Sequence, residues 1–384
     1  MYGLVQSPRE YFMLYCAQLR KLGLIQSAAD PCVWFKVVNG ETVLIIVVYV
    51  DDCILAGPQE EINWFKREIK KRFNITEMGP IQKHLGVWYE RKSDEAGEFY
   101  EVRMDEYKDE IVKDWKELIG PLKAEKTPGY PGESLVKNEG DPVNKDQYRK
   151  FLGRLMWLVR KVAPECGNAV RELAMFMDSP GEEHWRAMKR LVGYLESTDV
   201  HLKLREPVNL KVYAWVDSNF ATNKETRKSV TGYFVTIGGC LCGFSSKLQP
   251  AVTLSSTEAE YYAASTCATD IKFLQMLFEE LFPKVKIRPA TLFEDNTGAI
   301  FLMENQVVGN RTKHIDIRMH FIREMMAATE KEEARLVVKF IRSERNIADL
   351  ETKNVTEKIH DLLVPVVREG LMTQLILAAD REDV

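Results

Sequence analysis

The sequence predicts an α/β (α+β) chain of several domains, on three observations. "VVYVDDCIL" (residues 47–55) sets two aspartates between apolar, β-branched runs, the pattern of a strand, a tight turn and a strand. Residues 146–198 carry only helical spacing. From residue 210 strands and helices alternate in the order βββαβαβα with acids at strand ends, which predicts a mixed sheet flanked by helices. At 384 residues there is chain enough for two or three domains with cores of their own.

Taken in order, residues 43–57 form the hairpin, closed by Gly57-Pro58. Two like charges at the tip of a buried hairpin are costly unless a cation binds them, so Asp51 and Asp52 are candidate metal ligands. In "EEINWFKREIKKRF" the residues Ile62, Phe65, Ile69 and Phe73 share one helical face and the basic residues lie elsewhere. "HLGVWYERK" and "EFYEVRM" read as strands joined at "DEAG", and a helix over about 105–118 follows. Residues 120–147 are rich in Pro and Gly and read as a linker. In the helical stretch, Leu152, Leu155, Met156 and Val159 keep the spacing of a small bundle. "LKVYAWVD", "SVTGYFVTIGG" and "CLCGFSS" are three antiparallel strands. A long helix over 255–282, the strand "ATLFED", helices near 296–304 and 313–329, the strand "ARLVVKFI" and the short segment "SERNIADLETK" complete the order.

Composition excludes several classes. The chain is 45% hydrophobic and 29% charged with a formal net charge of −4, so nucleic-acid binding must rely on local basic faces. The seven cysteines are scattered; only Cys240 and Cys242 are close, without the second pair that zinc or a disulfide framework needs, and such thiols suit a reducing compartment. The start lacks a signal-peptide pattern, and the longest apolar run, residues 43–50, is far below the ~20 residues of a membrane span. A soluble intracellular chain is expected.

The acids carry the chemistry. Phosphodiester hydrolysis by the two-metal route needs carboxylates converging on two Mg²⁺ (or Mn²⁺) ions ~3.5–4 Å apart, and Mg²⁺ takes oxygen ligands. Asp217 and Asp295 end strands, Glu260 lies in the first turns of the long helix, and Asp349 lies in the last short helix. Ser255 and Glu258 fit a capping box, which turns Glu258 back on the helix start. Glu260, roughly 200° further round, is free to face the sheet. One such acid alone would read as a solvated surface carboxylate; four on this element order do not.

"YGLVQSPREYF", "ADPCVWF", "VVYVDD", "LSSTEAEY", "EDNTGAI", "RTKHIDIRMHFIRE" and "IADLETK" resemble, in order and spacing, the C-terminal part of the Pol polyprotein of copia-type (Pseudoviridae) LTR retrotransposons. The resemblance covers nearly the whole chain. It implies a partial reverse transcriptase palm over 1–119, a linker over 120–147, a helical thumb or connection region over 148–205, an RNase H-like domain over 206–355 and a helical tail over 356–384. By motif, Asp217, Glu260, Asp295 and Asp349 match the family's ribonuclease H carboxylates, which implies two metal ions and hydrolysis of the RNA strand of an RNA–DNA hybrid. Tyr49, Asp51 and Asp52 match the polymerase "YVDD" box. Gln6 opens "QSPR", which resembles a segment lying against template and incoming nucleotide. The fingers and first palm strand are expected upstream of Met1, so the chain alone is not expected to polymerise DNA.

Lys224, Arg227 and Lys228, with Arg311, Lys313, Arg318 and Arg323, are candidate phosphate contacts; otherwise they form a solvated face. His314 reads as an auxiliary of the nuclease site or as part of an amphipathic helix. The expected partners are the hybrid, RNA template and DNA, the rest of a Pol polyprotein or a second copy, in the cytoplasm (by family, a virus-like particle) or nucleus, without a membrane. Two departures stand out. The family's "SDADWAG" is here "VDSNFAT", with Asn219 and Phe220 replacing Asp and Trp, and "ADILTK" is here "ADLETK", with Glu351 at an apolar position. They favour a competing reading, a catalytically decayed remnant that only binds nucleic acid or a partner. A transposase- or integrase-like nuclease of the same fold fits less well, since no integrase zinc module is present.

Overall fold

The computed structural model describes residues 6–137, 140, 143–305, 316–329 and 332–382. The chain forms two compact units. One runs to Ile81 and includes Lys272–Ile287; the other comprises Gln82–Ile271 and the residues from Arg288 onward. The unit boundary therefore falls inside the stretch 1–119 that the sequence reading treats as one domain.

In the first unit, helix α1 (Ser7–Lys21) starts with proline in its first turn and ends on Arg20 and Lys21, as the helix dipole favours. Strands β1 (Ile25–Gln26), β2 (Val33–Val38), β3 (Glu41–Tyr49) and β4 (Asp52–Ala56) pair in that order. Asn39 and Gly40, both at positive φ, make the tight β2–β3 turn. Leu44, Ile46 and Val48 alternate along β3 and are buried with Tyr15, Cys16 and Leu19 of α1 and with Phe65 and Ile69 of helix α2 (Gln59–Lys70). This is the helical face expected from the 3.6-residue period.

The β3–β4 hairpin forms where expected, with Tyr49 opposite Asp52, but its tip is not buried. Tyr49 is 51% and Val50 62% exposed, and Asp51 and Asp52 are exposed as well. Water solvates the two carboxylates, so the burial cost expected from the flanking apolar runs does not arise. On the opposite face Ile45 packs with Val33, Phe35 and Leu281, and exposure sets in only at Val47, toward the tip.

The second unit opens with strands β5 (Lys83–His84), β6 (Val87–Asp94) and β7 (Gly97–Arg103), followed by helices α3 (Asp105–Leu118), α4 (Lys145–Val162), α5 (Gly167–Ala174) and α6 (Glu182–Ser197). Strand β8 (Leu202–Arg205) joins this sheet beside β7, within the stretch 148–205 read as helical. Four residues are too few to show a period; the pairing to β7 and the fork of Arg205 on Asp94, at 2.7 and 2.8 Å, hold it. Tyr148, Phe151, Leu155, Trp115 and Leu191 lie in one core with the inner faces of the sheets.

The Pro/Gly-rich stretch 120–147 is strapped to α6. Arg190 donates to the carbonyls of Thr127 and Gly129, and the His184 ring bonds Val136 O at 2.7 Å. Gly193 lets the strap pass, since a Cβ there would lie 2.3 Å from Lys123 O.

The last sheet holds strands β9 (Val212–Asn219), β10 (Val230–Ile237), β11 (Cys240–Leu248), β12 (Ala290–Glu294) and β13 (Leu336–Phe340), in the order β11-β10-β9-β12-β13. The first three are antiparallel, while β9, β12 and β13 are parallel. Helix α7 (Ser256–Leu281) precedes β12, helices α8 (Thr297–Glu304) and α9 (Asp316–Met326) follow it, and α10 (Asp349–Thr352), α11 (Glu357–Arg368) and α12 (Met372–Glu382) end the chain. This is the mixed sheet flanked by helices that the sequence predicts. Among the described residues no helix is long and apolar enough to cross a membrane.

His184 gives the second unit a pH dependence. Its Nδ1 accepts the Gly181 N–H at 3.0 Å, which only a neutral ring can do, and burial lowers its pKa although Val136 O and Glu183 oppose this. A histidine whose folded pKa is depressed costs stability as pH falls through its ordinary value near ~6.5. The melting temperature should therefore drop between pH 7.5 and 5.5, and His184→Gln, which has no proton to gain, should make that drop smaller.

Candidate metal centre

The parallel register of β9 and β12 sets Trp215 opposite Phe293, with their rings stacked at 5.2 Å. Two residues further along each strand direction stand Asp217 and Asp295, side by side at the carboxyl ends. Helix α7 brings the next acid. The Ser255 hydroxyl accepts the Glu258 N–H at 3.1 Å, and Glu258 turns back to accept the Leu254 N–H at 2.8 Å. The expected cap is present, though its carboxylate reaches one residue beyond the N-cap. Glu260 is left to point inward and is 6% exposed.

Helix α10 brings Asp349 over the sheet. It approaches so closely that a Cβ on Gly232, which pairs with Asp217, would lie 2.5 Å from the Thr352 methyl. Asn346, fully buried, anchors the approach by donating to Val216 O at 2.9 Å. Asn219, one of the departures from the family pattern, donates to Thr352 O at 3.2 Å, and the Thr352 hydroxyl donates to Asp217. The altered strand end is thus tied to the helix that carries the last acid.

Two groups of three carboxylates result. Asp217, Asp295 and Asp349 each offer an oxygen within 4.8 Å of the others, and so do Glu260, Glu294 and Asp295. Glu294 was not among the acids singled out from sequence, although "FED" already showed two adjacent acids at the strand end. It is fully buried.

Like charge and burial dominate the electrostatics. Burial, then Glu294, Asp217 and Asp295, push the Glu260 carboxyl well above the usual range. Burial also raises Glu294 far up, against an opposing hydrogen bond from Asn296 N–H. Asp349 is pushed up to about 7 by burial and by Asp217; burial raises Asp295 too. Lys353 supplies the nearby positive charge, 2.8 Å from Asp349 and 3.3 Å from Asp217. Burial alone would lower its pKa, but these two aspartates outweigh that and raise it. One oxygen of Glu260 and one of Glu294 remain buried without a hydrogen-bond partner. An oxygen-only donor set with excess negative charge and orphaned oxygens fits a hard divalent cation.

The other candidates separate clearly. Lys224, Arg227 and Lys228 lie on the β9–β10 loop, the first two exposed and the third half-buried. Arg311, Lys313 and His314 lie outside the described residues. Arg318 and Arg323, expected as phosphate contacts, are engaged internally: Arg318 bonds Ser265 and Tyr262 and lies over the Tyr262 ring, and Arg323 bonds Asn305 O. In the first unit, Gln6 is the N-cap residue of α1. Tyr49, Asp51 and Asp52 sit at the exposed hairpin tip, and Val50 there has φ +56°, a strained value for a β-branched residue.

Comparison with known proteins bears on both units. Residues 1–124 match the family model of the reverse transcriptase (RNA-dependent DNA polymerase). The Pol polyprotein of transposon TNT 1-94 from Nicotiana tabacum is 30% identical over 96% of this chain and 27% of its own length. That of transposon RE1 from Arabidopsis thaliana is 30% identical over 84% of this chain and 22% of its own. The chain thus spans about a quarter of these relatives. A solved RNase H1, LC11, in complex with an RNA/DNA hybrid, aligns over 38% of this chain and 98% of its own at 17% identity and a TM-score of 0.28. The class is that of reverse transcriptase chains. More narrowly, the chain belongs to the Pol polyproteins of copia-type retrotransposons.

Glu351, expected from the sequence to stand at an apolar position, is buried at a cost. It is fully buried, neither of its oxygens has a hydrogen-bond partner, and burial, with Glu165, raises its pKa well above the usual range. An acid with a raised folded pKa adds no ionisation cost below its ordinary pKa and a growing one above it. Glu351→Leu should stabilise the protein by about 1–3 kcal/mol at pH 7, the cost of an unsatisfied buried polar group. Urea melts should show a smaller gain at pH 5.

Proposed function

We propose that the chain hydrolyses the RNA strand of RNA–DNA hybrids at the carboxyl ends of β9 and β12. The observation that carries this is the pair of three-carboxylate groups sharing Asp295. Asp217, Glu260, Asp295 and Asp349 would hold two Mg²⁺ or Mn²⁺ ions, which supply an activated water and stabilise the leaving 3′ oxygen. Asp217 and Asp295 are fixed by strand register, and Asp349 is fixed by the Asn346 and Thr352 bonds, so three of the four acids sit on rigid elements. Lys353 offsets charge between Asp217 and Asp349. The 2′-hydroxyls on one strand only would let such a site select a hybrid. The rest of a Pol polyprotein, or a second copy of the chain, is the partner this reading implies.

A second reading is a decayed remnant that binds nucleic acid without cutting it; the partnerless Glu351 favours it. The polymerase site is not proposed as active on its own, because among the described residues no third acid groups with Asp51 and Asp52.

With Mg²⁺ or Mn²⁺, the purified chain should cut the RNA of a labelled hybrid, and Asp295→Asn should abolish cutting. Hybrid binding without cleavage above that variant's background would select the remnant. The β9–β10 loop is the proposed phosphate contact: Lys224→Ala, Arg227→Ala and Lys228→Ala should each weaken hybrid binding at low salt. Each should reduce the slope of log affinity against log salt by about 1.

A further inference from the structure

We infer that Glu294 is an additional ligand of one of the two cations, so that Glu260, Glu294 and Asp295 form one half-site and Asp217, Asp295 and Asp349 the other. This rests on reading the acid cluster as a cation site, and adds a residue that the family resemblance does not supply.

Placement comes first. Glu294 ends β12 directly before Asp295, and one of its oxygens lies within 4.8 Å of oxygens of both Glu260 and Asp295. Its Oε1 accepts the Asn296 N–H at 3.0 Å, which fixes the carboxylate and leaves Oε2 over. That Oε2 is buried without a partner, and Glu260 Oε2 is in the same condition. Glu294 is fully buried and Glu260 nearly so. Two buried carboxylates this close, each with an oxygen left over, need a proton between them or a cation.

The distribution of charge favours the cation. Lys353 bonds Asp349 and Asp217, the acids of one group only. The Glu260–Glu294 pair is bonded by no cationic side chain among the described residues; Lys353 reaches Glu260 and Asp295 only through space, against burial and the neighbouring acids, which prevail. A hard divalent ion with oxygen ligands would answer that charge, and Asp295, common to both groups, would be available to either ion.

Counting ions tests this without reading activity. The full chain, stripped with chelator, is titrated with Mn²⁺ while free Mn²⁺ is followed by electron paramagnetic resonance. The wild type should bind two ions. Glu294→Gln, which keeps an acceptor for the Asn296 N–H, should bind one as before and the other roughly tenfold or more weakly. Asp349→Asn should weaken the opposite ion. Far-UV circular dichroism establishes that each variant is folded; if Glu294→Gln is not, Glu294→Asp takes its place in the same titration. A wild type that binds one ion, or a folded variant whose isotherm superposes on the wild type, overturns the inference. Two ions in the wild type, one of them weakened selectively by Glu294→Gln, in a chain that cuts no hybrid would sustain it and overturn the nuclease reading instead.

Discussion

Five carboxylates, Asp217, Glu260, Glu294, Asp295 and Asp349, crowd the ends of two neighbouring parallel strands, and their mutual repulsion is the constraint to which the surrounding structure answers. Strand register alone brings Asp217 and Asp295 together. Everything else nearby limits the cost. Gly232 gives up its side chain so that α10 can lie on the sheet, Asn346 and Asn219 tie the helix to β9, and the half-buried Lys353 is held against Asp217 and Asp349. Apolar burial of the Trp215–Phe293 pair beneath holds the strands at the spacing that makes the repulsion unavoidable.

The first unit manages charge in the opposite way. Its adjacent aspartates stand in water at a hairpin tip, where screening makes them inexpensive and no compensating cation is needed. The strain there is in the backbone, at Val50, whereas in the second unit it is electrostatic.

Much of this was legible in the sequence because strand ends and helix periods are local. The hairpin at 43–57, the amphipathic α2, the cap that frees Glu260 and the order of the last sheet all follow from spacing within a few residues. What stayed hidden was long-range. β8 exists because of its pairing to β7 and the Arg205–Asp94 fork, two contacts across about a hundred residues of chain. Glu294 reads from sequence as a strand-end surface acid beside the expected one, and only the approach of α7 shows that it is buried. Arg318 and Arg323 look like free basic residues until Tyr262, Ser265 and the Asn305 carbonyl are found beneath them. Apolar flanks made the hairpin look enclosed, yet its second face is covered only away from the tip, where Val47, Tyr49 and Val50 stand exposed.

The difference in exposure between the two acid pairs has a consequence for how a copy of such an element ages. Asp51 and Asp52 cost little to keep whether or not they are filled, so their presence says little about use. The buried acids around Asp295 are costly in every generation that does not fill them. A lineage freed from selection for chemistry would gain stability by replacing any one of them. The intact cluster is therefore the more telling of the two, and Glu351, buried with neither oxygen hydrogen-bonded among the described residues, carries a cost of the same kind.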